Sequence, residues 1–346
     1  MLSLIGNFSD SFLLSIFLWP FVAIVLTLPV LLVQYVRFHR LPKARVAVIY
    51  LFMLYALALL AFTLYPMPDD PSKFCANYNL SPQLNPLQFI SDIREDGLRA
   101  VFQVVMNVMF FVPLGVFLRN LFGRKIFITL LAALLVSLFI ETAQLTGAFN
   151  FYPCSYRLFD VDDIAFNVLG AMIGYLVARV LPNFSKPKKR DNINTNPGIV
   201  HRFVTFLSDW LVYEALALVL VAPLFLISSG DVCPELALSL QVGCFVVLQL
   251  AVPLFWRGQT LMAKLTGISL DDRERTPLWR YLFYLLRLIL VSSVVFLKGW
   301  VLLLVALAVL LWYLIFKKMP YALVDLLFAR AGKAKKGPGP APQSKK

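Results

Sequence analysis

Charge is scarce in this chain, and cysteine and histidine are scarcer still. Only 15% of its 346 residues are Asp, Glu, Lys or Arg, and there are two histidines and four cysteines. Cysteines without metal-ligand spacing offer no zinc site. His39 and His201 both fall in basic segments, where a solvated role is expected. No nucleophile motif and no Gly-rich phosphate loop can be found, so no metal, nucleotide or other cofactor is expected. What the chain has in abundance is apolar surface. It is 60% hydrophobic with a mean hydropathy of +0.78, values that exclude an ordinary soluble domain.

Apolar runs long enough to cross a ~30 Å hydrocarbon layer recur along the chain. Nine are read, at about 12–36, 46–65, 100–118, 126–146, 164–182, 203–228, 236–256, 282–297 and 300–316. The expected fold is therefore all-α, a polytopic membrane helix bundle in two sub-bundles of five and four. The last two runs are short, and Lys298-Gly299-Trp300 must turn tightly between them. A single kinked helix over 282–316 is the alternative and would move the C-terminus to the other side. With the N-terminus outside and the C-terminus cytoplasmic, all 32 Lys and Arg residues except Lys73, Arg94, Arg99, Arg157 and Lys298 fall on the cytoplasmic side. The net charge of +13 thus reads as topology and attraction to anionic membrane lipids, not as a nucleic-acid surface. The first run lacks a basic n-region and a small-residue cleavage site, so no cleaved signal peptide is expected.

Composition divides the chain further. Residues 1–44 read as an N-terminal transmembrane helix and cytoplasmic loop, and 45–182 as a first membrane domain. Residues 183–199 are a polar, basic linker punctuated by Pro187 and Pro197, and 200–331 a second membrane domain. The Gly/Pro-rich basic tail 332–346 is expected to be disordered. Cys75 and Cys154 fall in outside loops, where a disulfide is permitted; Cys233 with Cys244 is a second pairing to consider.

Polar residues interrupt the first domain at helical spacing. Ser137, Glu141 and Gln144 share one face, as do Asp163, Asn167, Gly170 and Gly174. Asn107, Pro113 and Gly115 stand in the preceding run, and Arg157 and Asp160 in the loop between the two stripes. A carboxylate inside a membrane helix costs ~2.5–3.5 kcal/mol on insertion scales. Three elements carrying such residues near one membrane surface predict a polar pocket. There Arg157 would hold a phosphate or carboxylate, Glu141 near Asp163 would carry a proton, and Gln144, Asn107 and Asn167 would hydrogen-bond a headgroup. Pro113 and Gly115 would free carbonyls to line the cavity. The opposing reading makes Glu141, Arg157 and Asp163 a buried ion-pair network that fixes helix packing, with Gly170 and Gly174 supplying close contact.

The blocks NVMFFVPLGVFL, SLFIETAQL and RLFDVDDIAFNVLGAMIGYL resemble the VanZ-like family, over roughly 45–182. The resemblance implies an integral protein of the bacterial inner membrane, linked to resistance to the glycopeptide teicoplanin. Its matching positions are Asn107, Pro113, Gly115, Glu141, Gln144, Arg157, Asp160, Asp163, Asn167 and Gly170, with Asp162 adjoining. Residues 199–331 resemble the RDD family. Its signature falls on Arg202 and Asp209, seven residues apart on one helix face, and on Asp325, with Asp272 in reserve. That resemblance implies transport. Glu214 is then a candidate proton or cation carrier, and the structural alternative pairs Asp209 with Arg202 or Arg287. Three functions stay open: an outer pocket for a lipid-linked or amphiphilic molecule, a proton- or cation-coupled transporter, and a membrane enzyme acting on a polyprenyl phosphate.

Overall fold

A computed structural model of the chain describes residues 2–65, 67–68, 70–77, 81–227, 234–256, 258–269, 273–296, 299–322 and 332–334. Where no water can satisfy a backbone amide, helices are the natural solution, and helices are nearly all that is seen. They are α1 Leu2–Phe38, α2 Lys43–Leu64, α3 Pro71–Asn77, α4 Phe89–Asp96, α5 Leu98–Asn120, α6 Ile126–Leu145, α7 Gly147–Asn150, α8 Val161–Val177, α9 Ile199–Ile227, α10 Pro234–Val246, α11 Val252–Phe255, α12 Leu261–Thr266, α13 Pro277–Phe296 and α14 Gly299–Phe316. Among the described residues seven helices are long and apolar enough to cross a membrane, against the nine expected. The seven leave out α8, which has 17 residues, and α13. Helices α13 and α14 are separate elements, and Gly299 takes a left-handed φ of 62° at the start of α14, so the single long helix is not formed. Two three-residue strands, β1 Arg273–Arg275 and β2 Gly332–Ala334, pair antiparallel. The beginning of the tail expected to be disordered thus has a partner.

The chain divides into two compact units, Met1–Val30 with Pro42–Lys188, and Leu31–Leu41 with Lys189–Lys346. In the first, the most extensive contact joins α5 and α8, which are not neighbours in sequence. Glycine makes it possible. A Cβ on Gly115 would stand 2.0 Å from the Ala171 carbonyl oxygen, one on Gly170 2.2 Å from that of Val108, and one on Gly174 1.9 Å from that of Val112. The two backbones therefore touch along two turns, as small residues permit in membranes. At one end of this seam Asn120 Nδ2 donates to the Ala178 carbonyl at 2.8 Å, and Arg119 donates to that of Tyr175 at 2.9 Å. These donors satisfy carbonyls that the last turn of α8 leaves open. Buried Phe111, Leu114, Ala133, Ile140 and Ala171 fill the core where α5, α6 and α8 meet.

Pro113 lies inside α5 without ending it. The carbonyl of Phe110, in the turn before it, receives the Tyr55 hydroxyl of α2 at 2.7 Å. The carbonyl that loses its helical donor to Pro113 is that of Met109, so the Tyr55 bond is an added link between α2 and α5.

In the second unit, the seventh expected span is α10 and α11 joined by a π-helical turn, Val247–Ala251. That turn presents Gln249 to α13. Arg287 donates to the Gln249 carbonyl at 3.0 Å and to its Oε1 at 2.7 Å. A cation in apolar surroundings is thereby held in a two-pronged polar contact without a carboxylate.

The seam can be tested directly. Gly174→Val should lower stability by ~1–3 kcal/mol through overpacking, read as an earlier thermal midpoint of the detergent-solubilised protein. Gly243→Ala, where nothing lies within 4 Å of the added atom, should leave the midpoint close to wild type. Equal midpoints for both would show that α5 and α8 do not meet in this register.

Candidate functional site

The helix stripes read from sequence converge beside the N-terminal half of α8. Glu141 sits one turn before the end of α6 and is 2% exposed. Its Oε2 accepts the Asp160 backbone N–H at 3.1 Å, tying α6 to the start of α8. Asp160 is the N-cap of α8, its Oδ1 accepting from the Asp162 N–H at 2.8 Å. Burial raises the Asp160 carboxyl above its ordinary value, and the charges of Asp162 and Asp92 add to this against the opposing Asp162 hydrogen bond. Asn167 donates to the Ser137 hydroxyl at 2.9 Å across α8 and α6. Gln144 donates to the Thr63 carbonyl at 2.8 Å. Asp160, Asn167 and Gln144 therefore all have structural partners.

Asp162 and Asp163, indistinguishable by loop position, separate in the structure. The Asp162 carboxylate accepts from the backbone N–H groups of Leu87 and Phe89, at 2.9 and 3.0 Å. It pins the segment entering α4 onto α8. The same segment is held by Gln83, whose N–H donates to the Phe159 carbonyl at 2.8 Å and whose side chain reaches Asp160 Oδ1 at 3.3 Å. Asp163 points to α5 instead, where Gln103 Nε2 lies 3.4 Å from both of its oxygens. Asn107, in the next turn of α5, directs its side chain at Asp163 as a hydrogen-bonding neighbour, although its buried Nδ2 completes no bond of good geometry.

Arg157 is the outlying cation. Its half-buried guanidinium lies within electrostatic reach of Glu141 and Asp163, but it forms no hydrogen bond or ion pair with any described residue. Burial pulls its pKa below the ordinary arginine value, while Tyr156, Glu141 and Asp163 act to hold it up. The ion-pair network offered as the structural alternative is therefore not formed.

The loop bearing Arg157 is built stiffly. Cys75 and Cys154 form a disulfide with Cα atoms 5.8 Å apart. Cys244 is a free thiol, and Cys233 lies outside the described residues. Tyr156 donates to the Leu64 carbonyl at 3.1 Å and Ser155 to that of Arg157 at 2.8 Å. Before them, α7 is a left-handed turn with positive φ at Ala148, Phe149 and Asn150, a conformation costing ~1–2 kcal/mol per residue. Sequence reasoning missed Gln83, Gln103 and Thr63. The two glutamines carried no stripe of their own, although Gln103 stands one turn before Asn107.

In the second unit, Arg202 and Asp209 line one cavity of about 80 Å³ together with Arg287 and Tyr321. No ion pair joins them. Asp209, 4% exposed, accepts from the Thr260 hydroxyl at 2.5 Å and the Met262 N–H at 3.0 Å, so it caps α12. Arg202 donates to the Pro197 carbonyl at 3.0 Å and the Tyr321 hydroxyl at 3.1 Å. Both salt-bridge readings of Asp209 are corrected by this geometry: α12 begins against α9 and supplies N-terminal donors that a carboxylate can satisfy. Glu214 is exposed and accepts from the Trp210 indole at 2.9 Å. Asp325 and Asp272 lie outside the described residues.

Taken together, the fold and the cluster define a polytopic α-helical membrane protein with a polar group of side chains among its helices. A family model described as VanZ/LLP1 matches residues 52–182, the segment that carries the cluster, and that segment is similar to this family. No match supports an RDD-type domain over the second unit. No curated protein and no solved structure matches the chain.

The two aspartates make separable predictions. Asp162→Ala should leave the Leu87 and Phe89 amides without an acceptor, at a cost of ~1–3 kcal/mol. Hydrogen exchange at those two amides should accelerate, whereas Asp163→Asn should leave them protected. Equal protection in both variants would mean that the segment is held some other way.

Proposed function

We propose that the protein is a multi-pass component of the bacterial cytoplasmic membrane, with its N-terminus outside and its C-terminus inside. In this reading the polar cluster binds the headgroup of a lipid-linked or amphiphilic molecule and contributes to glycopeptide resistance of the teicoplanin type. The observation that carries the reading is Arg157, a half-buried guanidinium beside two carboxylates and paired with neither. Asn107 adds a buried amide beside Asp163 whose Nδ2 completes no bond of good geometry. Unsatisfied donors in a low-dielectric setting are costly, and a phosphate or carboxylate on an incoming ligand would satisfy both. Glu141 and Asp163 would then accept from its hydroxyl or amide groups, and Gln103 would hold Asp163 in place. Membrane lipid surrounds the apolar helices. The similarity of residues 52–182 to the VanZ/LLP1 family supports the envelope role.

Coupled transport has less behind it. Asp209 has two hydrogen bonds and Glu214 accepts from the Trp210 indole, so each carboxylate already has a partner. We retain an RDD-like origin for the second unit as a proposal resting on Arg202 and Asp209 alone. The enzyme reading on a polyprenyl phosphate would require Glu141 to exchange protons while it holds the Asp160 N–H, which favours binding over turnover.

The test is expression in a susceptible host, with membrane levels checked by immunoblot. A charge-assisted contact contributes ~1.5–3 kcal/mol, so Arg157→Ala should lose about ten- to a hundredfold in ligand affinity and return teicoplanin susceptibility to that of the empty vector. Arg157→Lys should recover part of the protection. Wild-type protection from Arg157→Ala at normal membrane levels would end this reading.

A further inference from the structure

The cavity shared by Arg202, Asp209, Arg287 and Tyr321 carries a charge that its walls do not balance. All of its lining residues lie in the second unit. Arg287 stands midway along α13, Pro277–Phe296, and is 5% exposed. A guanidinium does not give up its proton inside a protein, so this side chain stays a cation wherever the fold puts it. A cation withdrawn from water is costly unless an anion accompanies it.

The direct contacts of Arg287 supply no anion. Two of its five N–H groups go to Gln249, one to the carbonyl and one to Oε1. The other three make no hydrogen bond with any described residue. Arg202 is in the same position: Nε donates to the Pro197 carbonyl and Nη1 to the Tyr321 hydroxyl, which leaves three N–H groups over. Tyr321 uses its oxygen to accept that bond and keeps its own O–H hydrogen to give.

Asp209 is the one carboxylate among the described lining residues. It lies within electrostatic reach of Arg287 but forms an ion pair with neither arginine. Both of its oxygens turn to α12 instead, accepting from the Thr260 hydroxyl and the Met262 N–H. Thr205, the remaining polar side chain, meets the Thr266 hydroxyl at 3.1 Å. Thr266 gives its hydrogen to the Met262 carbonyl at 2.8 Å, so Thr205 is the donor to Thr266 and offers the cavity only a lone pair. Phe206, Val291 and Met319 complete the wall with apolar surface. Two guanidiniums therefore face one carboxylate, a surplus of one positive charge.

The walls are held in place. The Tyr321 ring stands edge-on to Phe283 with centroids 5.2 Å apart. Pro197, which holds Arg202, ends a segment expected to be a free linker, yet that segment is docked. Arg190 donates its N–H to the Phe38 carbonyl and Asn194 to that of Gly267, both at 2.9 Å. His201, expected to be solvated, is 4% exposed and stacks on Tyr35 with centroids 3.7 Å apart. With its neighbours so fixed, Arg202 stays beside the cavity.

We propose that this cavity binds one small monovalent anion, chloride or an ion of its size. A single negative charge neutralises the surplus, whereas a dianion would exceed it. The ion accepts from the unused N–H groups of Arg202 and Arg287 and from the Tyr321 hydroxyl, while Asp209 keeps its oxygens on α12. A volume of about 80 Å³ holds such an ion with a few waters.

The experiment uses the full chain in maltoside detergent, in gluconate buffer at constant ionic strength, and measures radiolabelled chloride by scintillation proximity. The wild type should bind saturably, with bromide competing and added gluconate not competing. Arg202→Gln should weaken the affinity by at least about tenfold. Tyr321→Phe keeps the ring against Phe283 and should weaken it severalfold. Arg287→Met should abolish binding; if that variant does not fold, the other two decide. Arg94→Gln with Arg99→Gln, at two exposed positions in the first unit, should bind as wild type does. No saturable binding by the wild type, or wild-type affinity in both Arg202→Gln and Tyr321→Phe, would overturn the proposal.

Discussion

Everything in the first unit depends on how closely α5 and α8 approach. With a side chain at Gly115, Gly170 or Gly174, the Cβ would overlap a facing backbone atom, and the helices would have to separate. The polar residues flank this seam and inherit its precision. Gln103 and Asn107 come from α5 and Asp163 from α8, and only a backbone-to-backbone contact brings such short side chains together. The seam also explains why Asn120 and Arg119 can reach the far carbonyls of α8. Helix contact in a membrane gains little from the hydrophobic effect, so van der Waals fit and hydrogen bonds at both ends carry the association.

Around this seam the polar groups divide by function. Those with short side chains near helix ends are satisfied internally: Asp160 caps α8, Asp162 anchors the segment before α4, and Asn167 links α8 to α6. The longer Arg157 stays without a direct partner among the described residues, on a loop braced by a disulfide, by Tyr156 and by a left-handed turn. A scaffold rigid around one unpaired cation differs from a salt bridge that merely locks helices. In the latter, the guanidinium would have closed on Glu141 or Asp163.

Helical periodicity made much of this legible. Spacings of three and four put Ser137, Glu141 and Gln144 on one face and Asp163, Asn167, Gly170 and Gly174 on another, and the helices preserve both stripes. What the sequence hid were partners whose position depends on chain crossings. Gln83 and Thr63 meet the cluster from distant segments, and the Asp162 carboxylate turns away from Asp163 to bind amides some 75 residues earlier. Asp209 went to the first turn of α12 because nothing in the pattern announced that a short helix would begin there. His201 was misjudged for a similar reason: a segment rich in basic residues and prolines reads as a tether, whereas hydrogen bonds from Arg190 and Asn194 dock it. Seven of the nine expected spans meet the length and apolarity of a crossing helix among the described residues, and α8, with 17 residues, is held by its packing on α5.

The order of the helices carries a consequence for biosynthesis. A ribosome makes α5, then α6, then α8, yet the first and third of these end with their backbones in contact. The intervening helix must therefore have moved off the glycine face by the time the third arrives, or the seam could not close. The seam thus closes by the capture of a late helix by an early one, and it waits on emergence of the stretch that brings Gly170 and Gly174 to the face already carrying Gly115.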